Sequence, residues 1–270
     1  WLIMISINRL GNLGRLANQM FQYASLKGIA TNRGYSFSIP PKDAFGTQDQ
    51  LVSQSDVTIY DVFENIENNN IGFQNNQTLW ERMHQFDEEL FVNCPDNVDL
   101  VGYFQTEKYF KHIEDDIRKD FSFSKSITET CKELYDSIIG DNESISLHIR
   151  RGDYTINPNH PTQPIEYYEK ALSKFNARIP VIVFSDDPSW CHQQKLFSDD
   201  RFLISDENTT EFDLCLMSLC NYHIIANSSF SWWGAWLAKS QKIIAPKNWF
   251  SAECGNKSIQ DVPFGDFTFL

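Results

Sequence analysis

No run of apolar residues in this chain approaches the ~18 that suggest a membrane span. None of its six cysteines forms a C-x-x-C pair. Cys94, Cys131, Cys191, Cys215, Cys220 and Cys254 are scattered among apolar residues, as buried free thiols are. A reducing compartment is therefore expected, with disulfides or zinc as minority readings. Positive charge is also scarce: 23 Lys and Arg stand against 36 Asp and Glu, a formal net charge of −13. Such a surface repels nucleic acid and anionic membranes at long range, so nucleic acid is not an expected partner. A site for an anionic ligand must then be built from a few placed Arg, His and backbone N–H groups. No D-x-D triplet occurs, so the usual signature of metal-dependent sugar transferases is missing and no metal ligand is expected. Glycine forms neither a Lys-Ser/Thr phosphate loop nor a G-x-G-x-x-G fingerprint.

Aromatic residues are abundant, with 21 Phe and 7 Trp. Aromatics touch sugars and also fill cores, and core filling is the commoner role. A length of 270 residues suits one large or two modest domains. Residues 1–7 read as a buried strand and not as a signal peptide. The expected location is cytoplasmic, or peripheral at the inner membrane face. In a cytoplasmic protein the sequons at Asn76, Asn142, Asn208, Asn227 and Asn256 carry no meaning.

Residues 3–7 predict a strand, 10–14 a glycine-punctuated turn, 16–31 a helix and 35–39 a second strand, together a βαβ unit. Residues 40–102 are polar and weakly periodic, with an exposed Asn-rich loop expected at 65–76. Helical patterns occupy 107–121 and 126–140. Strands are then expected at 144–149, 180–184, 223–226 and 242–245, with helices at 165–176, 188–197, 211–220 and 230–239. Short apolar runs alternating with helices predict a parallel sheet covered on both faces. The expected domains are 1–140, 141–245 and a segment 246–270 that packs back on the first.

Ligands of such sheets bind at the carboxyl ends of strands, and the notable motifs fall there. The first is His148-Ile149-Arg150-Arg151-Gly152-Asp153-Tyr154. His148 and Arg150 share a strand face, and Arg150 can fork onto a phosphate. The plainer alternative is a surface ion pair of Arg151 with Asp153. Arg151-Gly152-Asp153 also spells an integrin-type tripeptide, common by chance. The second motif is Phe184-Ser185-Asp186-Asp187-Pro188. One carboxylate suits the N–H groups of a guanine or a ribose hydroxyl pair, and the other suits a helix cap before Pro188.

The third motif runs from Asn227 to Trp236. Ser228, Ser229 and Phe230 open a helix whose free N–H groups form an anion site. Simple serine capping is the alternative. Trp232, Trp233 and Trp236 form a helical stripe read as core, and Gly234 is read as a point of close helix approach. The fourth runs from Gly14 to Ala24. It places Arg15 and Asn18 three apart near a helix N-terminus, while Met20, Phe21 and Tyr23 read as core.

Together these segments resemble the bacterial α1,2-fucosyltransferases of glycosyltransferase family 11. That family shows a G-x-L-G-N-Q-M-F-Q-Y-A opening, an H-x-R-R-x-D segment and a late S-S-F-S-W-W-G-A-W-L. Here they correspond to Gly14–Ala24, His148–Asp153 and Ser228–Leu237. The helix around Asp213 to Leu219 is also similar, so the likeness spans nearly the whole chain. The resemblance implies an α/β fold of the GT-B type, with two Rossmann-like domains facing across a cleft. It implies GDP-β-L-fucose as donor, a galactose-terminated glycan as acceptor, inversion, and no cofactor or metal. A lipid-linked glycan would bring the enzyme to the membrane surface.

By the same likeness His148 and one of Asp186 or Asp187 contact the guanosine, and Arg150 neutralises the diphosphate. Ser228, Ser229 and Phe230 hold the phosphates and base side, while Arg15 and Asn18 match a G-R-x-G-N-Q segment of protein O-fucosyltransferases that lines the reaction cleft. Asp153 is the first candidate base, with His160 and Glu166 behind it. Ala17 replaces a family glycine and is expected to be helical. Acceptor choice is assigned to residues 41–102. Protein O-fucosylation, or a silent nucleotide- or carbohydrate-binding module, are the competing readings.

Overall fold

The computed structural model describes residues 3–44, 57–67, 77–206, 209–254 and 258–270. Most of the Asn-rich loop, and the sequons at Asn76, Asn208 and Asn256, lie outside the described residues. The chain divides into two compact units, Trp1–Ser124 with Gln260–Val262, and Lys125–Ile259 with Pro263–Leu270.

The first unit is built on a parallel sheet of β1 (Met4–Ser6), β2 (Ser36–Ser38), β3 (Gln77–Trp80) and β4 (Val98–Val101), in the order β2-β1-β4-β3. Helix α1 (Leu16–Arg33) links β1 to β2. It carries Met20, Phe21 and Tyr23 into the core, as its sequence predicts. It stops where Gly34 adopts a left-handed φ of 69° and its N–H caps the Ala30 and Thr31 carbonyls. Ala17 lies inside α1 and is helical. Short helices α2 (Ile59–Val62), α3 (Glu88–Asn93) and α4 (Glu114–Asp120) complete the unit.

The polar stretch 40–102 thus contains two strands that its pattern hides. In β3, an edge strand, Gln77, Thr78 and Trp80 are exposed, so no alternation appears. The pattern at 107–121 is not one helix. It splits into 3₁₀ turns at Glu107–Tyr109 and Lys111–Ile113 followed by α4.

The second unit holds α5 (Lys125–Ile138), β5 (Ile145–Ile149), α6 (Ile165–Leu172), β6 (Val181–Ser185), α7 (Pro188–His192), β7 (Phe202–Ile204), α8 (Thr210–Leu219), β8 (Tyr222–Ile224), α9 (Ser229–Leu237), β9 (Lys242–Ala245) and β10 (Phe267–Phe269). Its six strands are all parallel, in the order β10-β9-β8-β5-β6-β7. Read from the other edge this is the doubly wound order 3-2-1-4-5-6. Trp232, Trp233 and Trp236 are buried in α9. A side chain at Gly234 would press on Met217, so α9 and α8 meet at that glycine.

The unit boundary falls at Ser124/Lys125 and not at 140/141, because α5 packs on α8, with the Cys131 thiol 3.7 Å from the Phe212 carbonyl. The C-terminal segment also differs from expectation. Only Gln260–Val262 joins the first unit, where Asp261 accepts from the Phe86 N–H at 2.8 Å and pairs with Lys108. The following residues supply β10 to the second sheet. All six cysteines are free, five of them buried.

Gly28 of α1 lies against the 3₁₀ turn at Glu107–Tyr109, where a Cβ would overlap the Tyr109 carbonyl. Backbone cannot retreat as a side chain can. Gly28→Ala is expected to destabilise the protein by about 2–3 kcal/mol, read as a lower urea midpoint. A midpoint equal to the wild type's would show that the two segments separate freely.

Candidate active site

In the second sheet the chain winds one way from β5 to β6 and β7, and the other way through β8, β9 and β10. The switch between β5 and β8 opens a crevice at their carboxyl ends, the ligand position of doubly wound sheets. The 148–154 segment leaves β5 there, and the 227–230 segment leaves β8.

His148 is buried, with Nδ1 2.9 Å from the Ser231 hydroxyl and its ring 5.8 Å from that of Phe230. Ser231 donates to the Ser228 carbonyl at 3.5 Å, so its oxygen accepts from Nδ1–H. Nε2 is then left with the lone pair. Burial, with a smaller contribution from the Arg150 charge, pushes the His148 pKa down to about 3. The buried His148 ring is therefore held neutral.

Arg150 sits between two carboxylates, one of Asp186 at 2.9 Å and one of Asp153. Its guanidinium also lies 5.3 Å from the centroid of the Tyr154 ring. Arg151 repeats the arrangement one residue on. Its N–H donates to Asp186 at 2.8 Å, its Nε donates to Asp187 at 3.1 Å, and its guanidinium lies 4.2 Å from the Trp190 ring centroid. The plainer alternative, an Arg151–Asp153 pair, gives way to Arg150–Asp153 and Arg151–Asp187. The two aspartates divide as their spacing suggests. Asp187 caps α7 through the Trp190 N–H at 3.1 Å, and Asp186 faces the 150–152 turn. Any side chain at Gly152 would collide with the Asp186 carboxylate.

Across the crevice Ser228 caps α9, its hydroxyl accepting from the Phe230 N–H at 3.3 Å. Ser229 and Phe230 form the first turn of this nine-residue helix, whose N–H groups and dipole favour an anion. Asn227 anchors the turn. It donates to the Pro161 and Trp249 carbonyls at 3.1 and 3.0 Å, and accepts from Gln163 at 3.1 Å. Tyr154 donates to the Asn227 carbonyl at 3.1 Å, which ties the two sides together.

The structure therefore gathers His148, Arg150, Asp153, Asp186, Asp187, Ser228, Ser229 and Phe230 at one sheet edge. His160 stacks on Tyr154 with centroids 5.1 Å apart, and Glu166 is exposed in the first turn of α6. Ser231, Gln163 and Tyr154 were not singled out from sequence. Ser231 had a readable signal, since it lies three residues after Ser228 on one helix face. Gln163 had none.

Arg15 and Asn18 belong to the first unit. Arg15 is the N-cap residue of α1, and its exposed side chain has no ion-pair partner among the described residues. Asn18, in the first turn, accepts from Gln105 Nε2 at 2.6 Å. Gly14 has a left-handed φ of 87°, and a Cβ there would strike the Asn18 amide. Among the described residues no group of three or more His, Cys, Asp or Glu side chains is placed to hold a metal ion. No helix there is long and apolar enough to cross a membrane.

Comparison with known proteins assigns the class first. Over 92% of this chain and 96% of that chain, the fold matches the crystal structure of NodZ alpha-1,6-fucosyltransferase soaked with GDP-fucose, with a TM-score of 0.58 at 14% identity. It also matches POFUT1 in complex with GDP over 98% and 97% of the two chains, with a TM-score of 0.51 at 12% identity. The fold is the α/β architecture of the GT-B type. In sequence, residues 4–262 match glycosyl transferase family 11. An alpha-1,2-colitosyltransferase of Escherichia coli is 32% identical, over 89% of this chain and 91% of that protein. The galactoside alpha-(1,2)-fucosyltransferase 2 of Bos taurus is 26% identical, over 93% and 72%. The chain belongs to glycosyl transferase family 11 and is a glycosyltransferase.

The depressed pKa of His148 links the site to stability. Above the unfolded-state value near 6.5 the ring is neutral in both states, and its full contribution is present. As pH falls towards 3 the unfolded chain takes up a proton that the folded protein refuses, and that stability is lost. The urea midpoint of the wild type is expected to fall between pH 7 and 4.5, and His148→Asn should lessen the fall. Equal slopes in the two proteins would show that His148 is not held neutral.

Proposed function

We propose that this enzyme transfers L-fucose from GDP-β-L-fucose to the 2-hydroxyl of a terminal β-galactose, with inversion and without a metal ion. The observation that carries the reading is that Arg150 and the N-terminus of α9 follow the adjacent strands β5 and β8 at the switch point. The acceptor oxygen attacks the anomeric carbon as its bond to the β-phosphate oxygen breaks. The β-linked donor yields an α-linked product, and GDP leaves with added negative charge.

Arg150 and the α9 N–H groups meet that charge. Such preorganised stabilisation is commonly the largest catalytic contribution. The Nε2 lone pair of His148, with Asp186, suits N–H and hydroxyl donors of guanosine. Arg15 and Asn18 are assigned to the transferred sugar, and Asp153 to the acceptor proton. The NodZ crystals soaked with GDP-fucose and the bovine relative's name support this donor and this linkage. The acceptor is a glycan, lipid-linked in our reading, met at the inner membrane face.

A second donor follows from one observation. The Escherichia coli relative that aligns over 91% of its length is named a colitosyltransferase, and colitose is fucose without its 3-hydroxyl. Purified protein is to be offered GDP-fucose or GDP-colitose with lactose or N-acetyllactosamine in EDTA, and GDP release and product mass followed. Fucosylated lactose is expected, and Arg150→Ala should lower kcat by about 10²–10³. Product from GDP-colitose alone would replace the donor. Dependence on added metal, or full turnover by Arg150→Ala, would end the proposed mechanism.

A further inference from the structure

The first unit exposes two large rings at the carboxyl edge of its sheet. Trp80, the last residue of β3, is 61% exposed, and Tyr103, two residues beyond β4, is 39% exposed. Among the described residues neither the Trp80 indole N–H nor the Tyr103 hydroxyl has a hydrogen-bond partner. The Trp80 ring meets the guanidinium of Arg9, 5.6 Å from its centroid. Arg9 follows β1, and β1 and β4 flank the switch point of this sheet. Exposed aromatic rings at the carboxyl edge of a parallel sheet stand where such sheets bind ligands.

The backbone carrying Tyr103 is held firmly. Glu81, the residue after Trp80, accepts from the Tyr103 N–H at 2.8 Å and from the Phe104 N–H at 2.9 Å. Phe104 adopts a left-handed φ of 52° with its ring buried. That is an outlier for a bulky residue, and such strain collects at functional positions. A side chain at Gly102 would overlap Glu81. Gln22 donates to the Gly102 carbonyl at 3.0 Å, and Ser25 to the Phe104 carbonyl at 3.1 Å. These bonds deliver Gln105 to Asn18, with the Gln105 carbonyl oxygen left unpartnered among the described residues.

A pyranose presents a face of C–H bonds and a rim of hydroxyls. Rings with a polar handle take the face, and an amide oxygen takes a hydroxyl. We propose that Trp80 and Tyr103 are the stacking surfaces for the acceptor pyranose, with the Gln105 carbonyl accepting from one of its hydroxyls. This rests on the sugar-transfer reading above and adds the residues that select the acceptor.

The test measures lactose KM, GDP-fucose KM and kcat for the wild type, Trp80→Ala, Tyr103→Ala and Tyr103→Phe, with saturation-transfer NMR of lactose on each. Both alanine variants are expected to raise lactose KM about tenfold, with kcat and the GDP-fucose KM following weakly. Tyr103→Phe should stay near the wild type. A structural role would instead lower kcat and thermal midpoint together. An active wild type whose lactose KM is unmoved in both alanine variants would overturn the platform and leave the transfer reading intact. A wild type that releases GDP without fucosylating lactose would sink that reading. The NMR signal then decides the platform: lost in the alanine variants it stands, and absent in the wild type it falls.

Discussion

A parallel strand buried on both faces can display polar chemistry only where it ends. All five residues of β5 are buried, and so are the first four of β6. Every charged group of the 148–154 segment therefore lies at the carboxyl edge or beyond it. His148 shows the limit of the rule. One residue inside the strand end, it survives burial only as a neutral ring bonded to Ser231. One residue beyond the strand, Arg150 is paired with Asp186 and Asp153. The same constraint places Ser228 and Phe230, since β8 is short and α9 opens five residues after it ends.

The charge arrangement at that edge is nearly balanced within itself. Arg150 and Arg151 alternate with Asp186 and Asp187, and Asp153 closes the set. Carboxylates hold Arg150 in place, and in the proposed reaction a diphosphate competes with them for it. In that exchange the oxygens of Asp153 lose their cation when the donor gains one. An acceptor proton then has a freed carboxylate to approach, which gives the assignment of Asp153 a physical reason beyond its position in the motif.

Much of the second unit was legible because fully buried parallel strands read as short apolar runs. Strands β5, β6, β8 and β9 fall within a residue or two of their predicted places. β7 and β10 were not seen. Each has three partly exposed residues at a sheet edge, too few for any period. β3 escaped for the same reason. The boundary was misplaced because α5 has no sequence mark of its partner, and only its packing on α8 shows to which unit it belongs. Of the site, the charged residues were legible because strand-end placement gives them meaning. Gln163 was not, since a buried amide that donates to Asn227 and to loop carbonyls looks like any surface glutamine in sequence.

The two sheet edges differ in chemistry, and the proposed division of donor and acceptor between them would account for the difference. The edge of the second unit carries guanidinium, carboxylate and helix N–H groups, which suit a charged and hydrogen-bonding nucleotide. The edge of the first carries Trp80, Tyr103 and amides, with Arg9 and the exposed Arg15 as the cations on the β1 side. An uncharged sugar has no phosphate for an arginine to hold, so its recognition must come from ring faces and amide oxygens. The left-handed Phe104 buries its ring against Tyr109, with centroids 5.8 Å apart, and the same turn carries Tyr103 and Gln105 at that edge.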